Sequence, residues 1–411
     1  MSNPDSKDKS SVTVVSIYPA KGTVHPEEGG VASYTHNLCT ELARKGEQVS
    51  IVCNVEPGAQ PDTYSELGVQ VVRAFRKNLT FFWDIARTTR QLNSKTVHFQ
   101  QELALYGGLV SAFLLPLGIM LSGRRARKVV TLHAVVARSQ INADFIKENN
   151  SAAPVFAVRW AFRIIYTLLN WSADKLIVHE APFRERLIRD YHVDPHKIAV
   201  IPHGIERADR MDQTDAREQL AIDPRAKVLL FVGYLTGYKG LDLLIEGYAR
   251  YVRDHPKDRS LLIIGAGKHP KLKDDPSYLK DSYERLQKKA KDLLPDDKYR
   301  WSGFIKEEEL QAYYSAADLS VYPYTVAMSS SGPMAMSIAY RTPFIASDVF
   351  SEYFPDADNL FAREEKSLAD AIHRSFKSPS TGVEIEHMRS ERAWPAVASA
   401  HLRVYTKGDH S

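Results

Sequence analysis

Apolar and polar residues alternate in short blocks along almost the whole chain. Short runs of β-branched and apolar residues, typical of buried parallel strands, are separated by stretches with apolar residues at helical spacing. The first pair is a strand at 12–18 and a helix at 30–45, which Gly46 ends. This regular alternation predicts a parallel, doubly wound α/β sheet.

The pattern begins again near Pro202, after a first set of strands. The strands of the first half are predicted at 48–53, 69–74, 96–99, 128–132 and 175–178. Those of the second half are predicted at 228–232, 260–264, 299–304, 319–322, 344–346 and 359–362. Two such halves predict two Rossmann-like domains, at 11–205 and 206–390, after a polar tail at 1–10 and before a last helical segment at 391–411.

Composition narrows the class of protein. The chain has 411 residues, of which 44% are hydrophobic and 25% charged, as in an ordinary globular protein. Its net charge of +4 is too small for a typical nucleic-acid binder, so no nucleic-acid partner is expected. Cys39 and Cys53 both lie in apolar contexts, and two cysteines make neither a disulfide framework nor a zinc site. We expect buried free thiols and a reducing, cytoplasmic compartment.

Two apolar helical segments could be either buried core helices or helices that contact a membrane surface. The run at 108–121 is shorter than the ~20 residues that a transmembrane helix needs, and a basic cluster at 123–128 follows it. The segment at 154–171 is rich in aromatic residues and includes Arg159 and Arg163. A buried core helix is the favoured interpretation of both, and contact with a membrane surface is the alternative.

The most informative segment is the strand, loop and helix at 229–245. Apolar residues lead into a loop between Gly233 and Gly240 that contains Lys239, and a helix opens directly afterwards. Glycines let the backbone approach an anion, helix-start N–H groups point at it, and the lysine adds a positive charge. The spacing matches neither a P-loop nor a Gly-x-Gly-x-x-Gly fingerprint. It predicts a phosphate-binding site of another kind.

Further polar or glycine-rich segments follow other predicted strands. In open α/β sheets ligands bind beyond the carboxyl ends of the strands, where such segments meet. The segments contain Gly29, Gly30, His98, Glu102, His133, His203, Gly265, Lys268, Ser330, Ser331 and Gly332.

The order of these motifs resembles a known family. It is similar to that of the retaining, nucleotide-sugar-dependent glycosyltransferases of GT-B architecture, the family 4-like enzymes or glycosyl transferases group 1. The resemblance covers about 12–405. The matching segments are Gly29-Gly30-Val31-Ala32, Thr131-Leu132-His133, Val200-Ile201-Pro202-His203-Gly204-Ile205, the Lys239 loop, Leu262-Ile263-Ile264-Gly265-Ala266-Gly267 and Thr342-Pro343-Phe344-Ile345-Ala346-Ser347.

The resemblance implies a fold and a set of roles. The fold is two facing Rossmann-like domains with an interdomain cleft and a C-terminal helix that returns to the first domain. His133 and Lys239 would be catalytic, orienting the donor sugar and stabilising the leaving diphosphate without a required metal or cofactor. Donor contacts are expected from Gly29, Gly30, Tyr234, Lys239, Gly265, Lys268, Ser330, Ser331 and Gly332. Acceptor or sugar contacts are expected from His98, Glu102 and His203.

The chain departs from the family pattern at three positions. Tyr234 stands where an arginine usually precedes the lysine by five residues. Met328 and Met336 stand where two glutamates usually address the donor sugar and the ribose. A methionine cannot accept a hydroxyl hydrogen bond as a carboxylate does. Ribose recognition must therefore differ from the family pattern.

The resemblance predicts a hexosyltransferase that uses a UDP- or GDP-sugar. The acceptor would be a saccharide or a lipid-linked molecule, in polysaccharide, glycolipid or glycan synthesis. The enzyme would be cytoplasmic, with peripheral contact at the inner face of the membrane through its N-terminal domain. Two alternatives stay open: a non-catalytic nucleotide- or glycan-binding homologue, and a sugar-nucleotide epimerase or phosphorylase on the same fold.

Overall fold

The chain forms two compact units in a computed structural model. The structure describes residues 11–22, 30–103, 105–148, 153–267, 276–327, 331–354, 358–378 and 382–406. One unit comprises Met1–Gly204 together with Trp394–Ser411, and the other comprises Ile205–Ala393. The domain boundaries predicted from the sequence differ from these by one and three residues. The predicted tail at 1–10 lies outside the described residues.

The first unit is built on an eight-stranded sheet. Its strands are β1 (Ser11–Val15), β2 (Gln48–Asn54), β3 (Asp62–Glu66), β4 (Val69–Phe75), β5 (Thr96–Gln101), β6 (Arg127–Leu132), β7 (Lys175–Val178) and β8 (Ile198–Val200). Their order is β3-β4-β2-β1-β5-β6-β7-β8, parallel except for the β3–β4 hairpin. The helices between them are α1 (Gly30–Arg44), α2 (Phe81–Leu92), α3 (Leu109–Leu121), α4 (Ala143–Glu148), α5 (Val155–Ser172) and α6 (Ala181–Tyr191).

The second unit has a six-stranded, wholly parallel sheet. Its strands are β9 (Lys227–Tyr234), β10 (Ser260–Gly267), β11 (Tyr299–Trp301), β12 (Leu319–Tyr322), β13 (Phe344–Ser347) and β14 (Leu360–Phe361). Their order is β11-β10-β9-β12-β13-β14. Its helices are α7 (Gln213–Gln219), α8 (Leu241–Asp254), α9 (Pro276–Leu293), α10 (Glu307–Ala316), α11 (Gly332–Ala339), α12 (Glu365–Lys377) and α13 (Gly382–Arg392).

The last helix, α14 (Trp394–Thr406), belongs to the first unit. It packs on α1, and the rings of Trp394 and Tyr34 lie 5.3 Å apart. A side chain at Gly204 would overlap the Trp394 ring, so only glycine lets the chain pass this close. This return of the C-terminal helix is the arrangement that the resemblance predicts.

The structure differs from the sequence-based elements mainly at sheet edges. The pattern did not predict β3, because a polar edge strand with one neighbour lacks an apolar run. It also missed the three-residue β8. The strand predicted at 299–304 ends at Trp301, and Gly303 has a φ of +72°, a conformation that leaves the strand. Cys39 and Cys53 are buried free thiols, as predicted.

The interpretation of α3 and α5 as buried core helices is wrong for one face of each. Exposed apolar side chains on these helices are Val110, Leu117, Met120, Phe156, Trp160, Ile164 and Trp171. The other faces pack on neighbouring helices, α3 on α2 and α5, and α5 also on α6. Among the described helices none combines the length and apolar character needed to cross a bilayer.

Candidate active site

Lys239 is a buried lysine beyond the carboxyl end of β9. It closes a short 3₁₀ turn, Gly237–Lys239, and its side chain is only 5% exposed. Its Nζ atom lies 5.4 Å from the centre of the Tyr324 ring. Burial lowers the pKa of the ammonium group to about 8. Within the described residues no carboxylate pairs with it, so its charge is available to an anion.

Two glycines make room for this lysine and its turn. A Cβ atom at Gly233 would overlap the Nζ atom of Lys239, and one at Gly240 would overlap the backbone oxygen of Pro323. Gly240 also has a φ of +68°, the left-handed conformation that side chains disfavour. The glycines that bound the loop in the sequence therefore set the position of Lys239.

An open cleft of about 360 Å³ lies beside Lys239 within the second unit. That volume is in the range of ligand sites in proteins. The cleft is lined by residues of β9 and β10, of the Lys239 turn, of the loop after β11, and of α10 and α11: Val232, Gly233, Tyr234, Lys239, Gly265, Phe304, Ile305, Glu307, Leu310, Tyr314, Gly332, Pro333 and Met336.

The N-terminus of α11 forms one wall of this cleft. Ser331 caps the helix by accepting a hydrogen bond from the N–H of Met334 at 3.4 Å, and its hydroxyl lies 3.0 Å from that of Tyr324. Gly332 is exposed, and a Cβ atom there would meet nothing within 4 Å. Helix-start N–H groups favour an anion, so the N-terminus of α11 and the ammonium group of Lys239 both contribute positive potential to the cleft. Ser330, Met328 and Lys268 lie outside the described residues.

Tyr234 brings an aromatic surface where the family pattern has an arginine. Its ring stacks on that of Phe304 with centroids 6.0 Å apart and an interplanar angle of 14°. Gly265 in β10 lets the segment that contains Phe304 and Ile305 approach this strand, because a Cβ atom at Gly265 would overlap the side chain of Ile305. The sequence analysis did not single out Phe304, which lies in the segment then predicted as a strand.

Arg285 also lies close to the Lys239 loop, where it lines a smaller pocket with Tyr234 and Lys239. Its guanidinium donates to both oxygens of Asp242, at 2.6 and 2.7 Å. Because Arg285 is paired with Asp242, it does not supply an unpaired positive charge in place of the arginine that Tyr234 replaces.

A carboxylate reaches the cleft from α10. Glu307 is the first residue of that helix and lines the cleft together with Met336. Its neighbour Glu309 instead accepts from the N–H of Lys306 at 3.1 Å and caps the helix. Acidic residues are common at helix starts because of the helix dipole, so the sequence pattern did not mark the position of Glu307 as part of a site. Glu307 places an acidic side chain in the same cleft lining as Met336.

In the first unit, His133 belongs to a chain of polar contacts at the carboxyl edge of the sheet. It follows β6 and is half-buried. Its Nε2 atom lies 2.7 Å from the Gln100 amide, and its Nδ1 atom lies 3.2 Å from Nε2 of His179. Burial, and then the nearby His203 and His401, lower the pKa of His133 to about 3. The imidazole is therefore neutral at physiological pH.

The contacts of His179 fix the proton positions in this chain. Its Nδ1 atom faces the backbone oxygen of Ile201 at 3.1 Å, and a carbonyl oxygen can only accept. In a neutral His179, Nε2 is then an acceptor and Nδ1 of His133 donates to it. The Nε2 atom of His133 must accept, which requires the amide nitrogen of Gln100. Among the described residues that nitrogen has no hydrogen-bond partner, and turning the amide by 180° pairs it with Nε2 of His133.

The other residues predicted from the sequence for this unit divide between core and surface. His98 is wholly buried and both its ring nitrogens are engaged, by Thr131 and Tyr405 at 2.7 Å each. The expectation that it contacts a sugar therefore fails, because it has no exposed surface. His203 is half-buried with its ring 5.0 Å from that of Tyr34. Glu102 is exposed after β5.

Gly30 is exposed at the first position of α1, and a Cβ atom there would meet nothing within 4 Å. Its neighbour Gly29 lies outside the described residues. The structure thus describes only the second member of the predicted glycine pair.

Comparison with known families assigns both units. The description "Glycosyltransferase Family 4" matches residues 28–209, and "Glycosyl transferases group 1" matches residues 212–393. These ranges follow the two units closely. The chain belongs to the family 4-like glycosyltransferases, and it is an enzyme of that class.

Relatives and solved structures agree with this assignment. A D-inositol 3-phosphate glycosyltransferase of Kineococcus radiotolerans is 26% identical over 93% of this chain and 91% of its own. The sucrose-phosphate synthase of Thermosynechococcus elongatus has a similar structure, with a TM-score of 0.65 and 20% identity over 97% and 98% of the two chains. HepE of Anabaena, solved with UDP, has a TM-score of 0.64 and 13% identity over 96% and 99%. These structural likenesses concern the GT-B fold.

Proposed function

We propose that the enzyme is a retaining hexosyltransferase that uses a UDP- or GDP-sugar. The observation that carries the proposal is Lys239, a buried cation with a lowered pKa at the edge of a cleft. Burying a charge costs free energy unless a partner of opposite charge is present. A diphosphate is such a partner, and it gains negative charge as the sugar departs.

The walls of the cleft fit the remaining parts of a nucleotide sugar. The N-terminus of α11 adds N–H groups for phosphate oxygens. The stacked rings of Tyr234 and Phe304 offer an apolar aromatic surface of the kind that nucleobases contact. Glu307 can accept hydrogen bonds from ribose or sugar hydroxyls. The structurally similar HepE of Anabaena was solved with UDP and with UDP-glucose, which supports this donor class.

His133 is proposed to orient the donor sugar, with Lys239 stabilising the leaving diphosphate. His133 is held neutral, and Gln100 and His179 fix its ring. A neutral imidazole can exchange its Gln100 contact for a sugar hydroxyl. In this proposal no metal ion takes part in leaving-group departure. Transfer measured in EDTA should therefore proceed at its normal rate, and loss that magnesium or manganese restores would contradict it.

The acceptor is proposed to be a saccharide or a lipid-linked molecule, met at a membrane surface. On α5, Phe156, Trp160, Ile164 and Trp171 are spaced by four, four and seven residues. At 100° per residue they share one face about 80° wide. Trp160 and Trp171 are 61% and 74% exposed. Exposed apolar faces of this kind mark interaction sites.

The charges around this face favour an anionic surface. The helix α3, which packs against α5, has no charged residue, and α5 carries only Arg159 and Arg163. The guanidinium of Arg163 lies 5.9 Å from the Trp160 ring. Arg124 and Arg125 are exposed directly after α3. Aromatic side chains with basic neighbours are typical of interfacial helices, and an anionic inner leaflet fits this pattern.

Two experiments test the proposal. A thermal-shift screen against UDP, GDP, ADP and their sugar conjugates should show stabilisation by one base family, as a ligand of the native state must produce. Release of that nucleotide should then require an acceptor. No stabilisation by any nucleotide, and no release, would favour the non-catalytic alternative that Met336 in the cleft wall suggests. Epimerised donor without transfer, or dependence on free phosphate, would favour an epimerase or a phosphorylase.

The membrane part has its own test. Co-sedimentation with phosphatidylglycerol vesicles should exceed that with phosphatidylcholine vesicles and should fall in a Trp160→Ser, Trp171→Ser double variant. Leu293→Ser removes an exposed apolar residue of the second unit and is the matched control. Equal sedimentation of all variants would contradict membrane contact through this face.

A further inference from the structure

Three potential metal ligands meet at the opposite edge of the second sheet from Lys239. His255 follows the last turn of α8, Asp258 precedes β10 by two residues, and His373 lies in α12. Because β10 runs parallel to its neighbours, its start and its end lie at opposite edges of the sheet. The cluster is therefore separate from the nucleotide-sugar cleft.

The three side chains are already close together. One ligand atom of each, an imidazole nitrogen or a carboxylate oxygen, lies within 4.8 Å of those of the other two. The rings of His255 and His373 are stacked, with centroids 3.8 Å apart and an interplanar angle of 6°. In the described part of the chain their ring nitrogens make no hydrogen bond. These ring nitrogens are therefore available, but an imidazole binds a metal ion in its own ring plane, so the two parallel rings must turn out of the stack to share one ion.

We propose that His255, Asp258 and His373 bind a zinc ion. Two imidazoles and one carboxylate form a donor set that suits zinc and related transition-metal ions, while magnesium and calcium prefer oxygen ligands only. Zinc–nitrogen bonds are about 2.0–2.1 Å long, so the ligand atoms must draw somewhat closer. His255 and His373 are half-buried and Asp258 is exposed, which leaves their side chains room to turn. Three protein ligands leave a fourth position for water.

Tyr251 holds the carboxylate of this site in place. Its hydroxyl donates to Oδ2 of Asp258 at 2.7 Å, and its ring lies 5.1 Å from that of His255. Such hydrogen bonds to a ligand carboxylate typically change metal affinity by 10–100-fold. Tyr251 is therefore a positioning residue of the site.

The helices behind the ligands are closely packed. Helices α8 and α12 pack closely, and a Cβ atom at Gly247 would overlap the side chain of Leu368. A zinc ion would join the end of α8, the turn before β10 and α12. Because only the folded unit brings the ligands together, bound zinc should stabilise it without changing the cleft. This inference does not rest on the proposed function.

The test uses the full-length protein, freed of metal with EDTA and dialysed. Titration with zinc chloride should show one tight site, and zinc should raise the melting temperature where magnesium does not. His373→Ala and His255→Ala should each remove the tight site, and Tyr251→Phe should weaken it about tenfold. His387→Ala, which removes an exposed histidine near Glu391, is the matched control and should bind as the wild type does.

Cobalt absorption gives a second readout that protein stability does not affect. Cobalt in a site with two imidazoles and a carboxylate should give visible bands, which His373→Ala should lose while His387→Ala keeps them. Equal zinc binding by wild type and His373→Ala, or no tight site in the wild type, would overturn the proposal. If zinc binding also changed the transfer activity, it would contradict the claim that this site is separate from the nucleotide-sugar cleft.

Discussion

The Nζ atom of Lys239 lies 5.4 Å from the centre of the Tyr324 ring. An aromatic face attracts a cation, but more weakly than an anion does. With the rest of its side chain buried and no carboxylate pairing with it among the described residues, the ammonium is stabilised incompletely. This incomplete stabilisation makes the residue both a cost to folding and a ready partner for a diphosphate.

Replacing Lys239 with methionine should stabilise the ligand-free protein. Its pKa is about 8 in the folded state against an ordinary 10.5, so the folded protein holds fewer protons between these pH values. Stability from this group therefore rises with pH across that window, and at pH 7 the buried charge costs about 3 kcal/mol. Urea unfolding should show Lys239→Met more stable by about 1–3 kcal/mol at pH 7, with a smaller gain at pH 10.

The control for this measurement is Lys227→Met, which removes an exposed lysine at the start of β9. Its stability should match that of the wild type at both pH values. A Lys239→Met protein that is less stable than the wild type at pH 7 would contradict the account of a charge without a partner.

Nucleotide binding should draw a proton onto the enzyme near pH 8. A bound diphosphate favours the charged ammonium and so raises the pKa of Lys239 from about 8. Calorimetric titrations in buffers of different ionisation enthalpy should show uptake of about half a proton at pH 8, and about a tenth at pH 7. Lys227→Met should behave as the wild type does. Binding without proton uptake at pH 8 would separate the nucleotide site from Lys239.

The histidines beside Gln100 should share one tautomer. The backbone oxygen of Ile201 requires a proton on Nδ1 of His179, which in turn requires one on Nδ1 of His133. Long-range proton–nitrogen NMR correlations should show both rings as Nδ1–H tautomers, with His133 neutral at pH 5 because its pKa is about 3. The signals are assigned by their loss in His133→Gln and His179→Gln. A proton on Nε2 of His133 would contradict the inferred network.

Glu307 and Glu308 provide a matched pair for testing recognition of the donor. Glu307 lines the cleft, whereas Glu308 is exposed and does not line it. Losing a carboxylate that accepts hydroxyl hydrogen bonds costs about 1.5–3 kcal/mol. Glu307→Gln should therefore weaken nucleotide-sugar binding at least about tenfold, and Glu308→Gln should leave the dissociation constant unchanged. Equal effects of the two substitutions would remove Glu307 from the site.

Much of the fold follows from the order of strands and helices, because apolar runs specify buried parallel strands. The loop around Lys239 could also be predicted from the sequence, because the spacing of its glycines indicates a loop before a helix. Edge strand β3 did not, because its polar residues lack a second neighbouring strand. Exposure of one face of α5 was an open alternative that only packing could decide.

The site was less predictable than the fold. Glu307 reaches the cleft from a helix start where acidic residues are common for another reason. The Gln100–His133–His179 chain depends on which strands are neighbours in the sheet. His98 lies within β5, where β6 and α14 bury it, whereas His133 follows the end of β6. The strand predicted at 96–99 already contains His98, so its expected sugar contact conflicted with its place in the pattern.

The most direct test of the account is the rate of sugar transfer by Lys239→Ala. Lys239 is proposed to stabilise the charge that develops on the leaving diphosphate, and loss of such a stabilising group costs roughly 3 kcal/mol. With the donor that the screen identifies, kcat/KM should fall at least ~100-fold relative to the wild type and to Lys227→Ala. A Lys239→Ala enzyme that folds and transfers sugar at a near-normal rate would contradict the central claim.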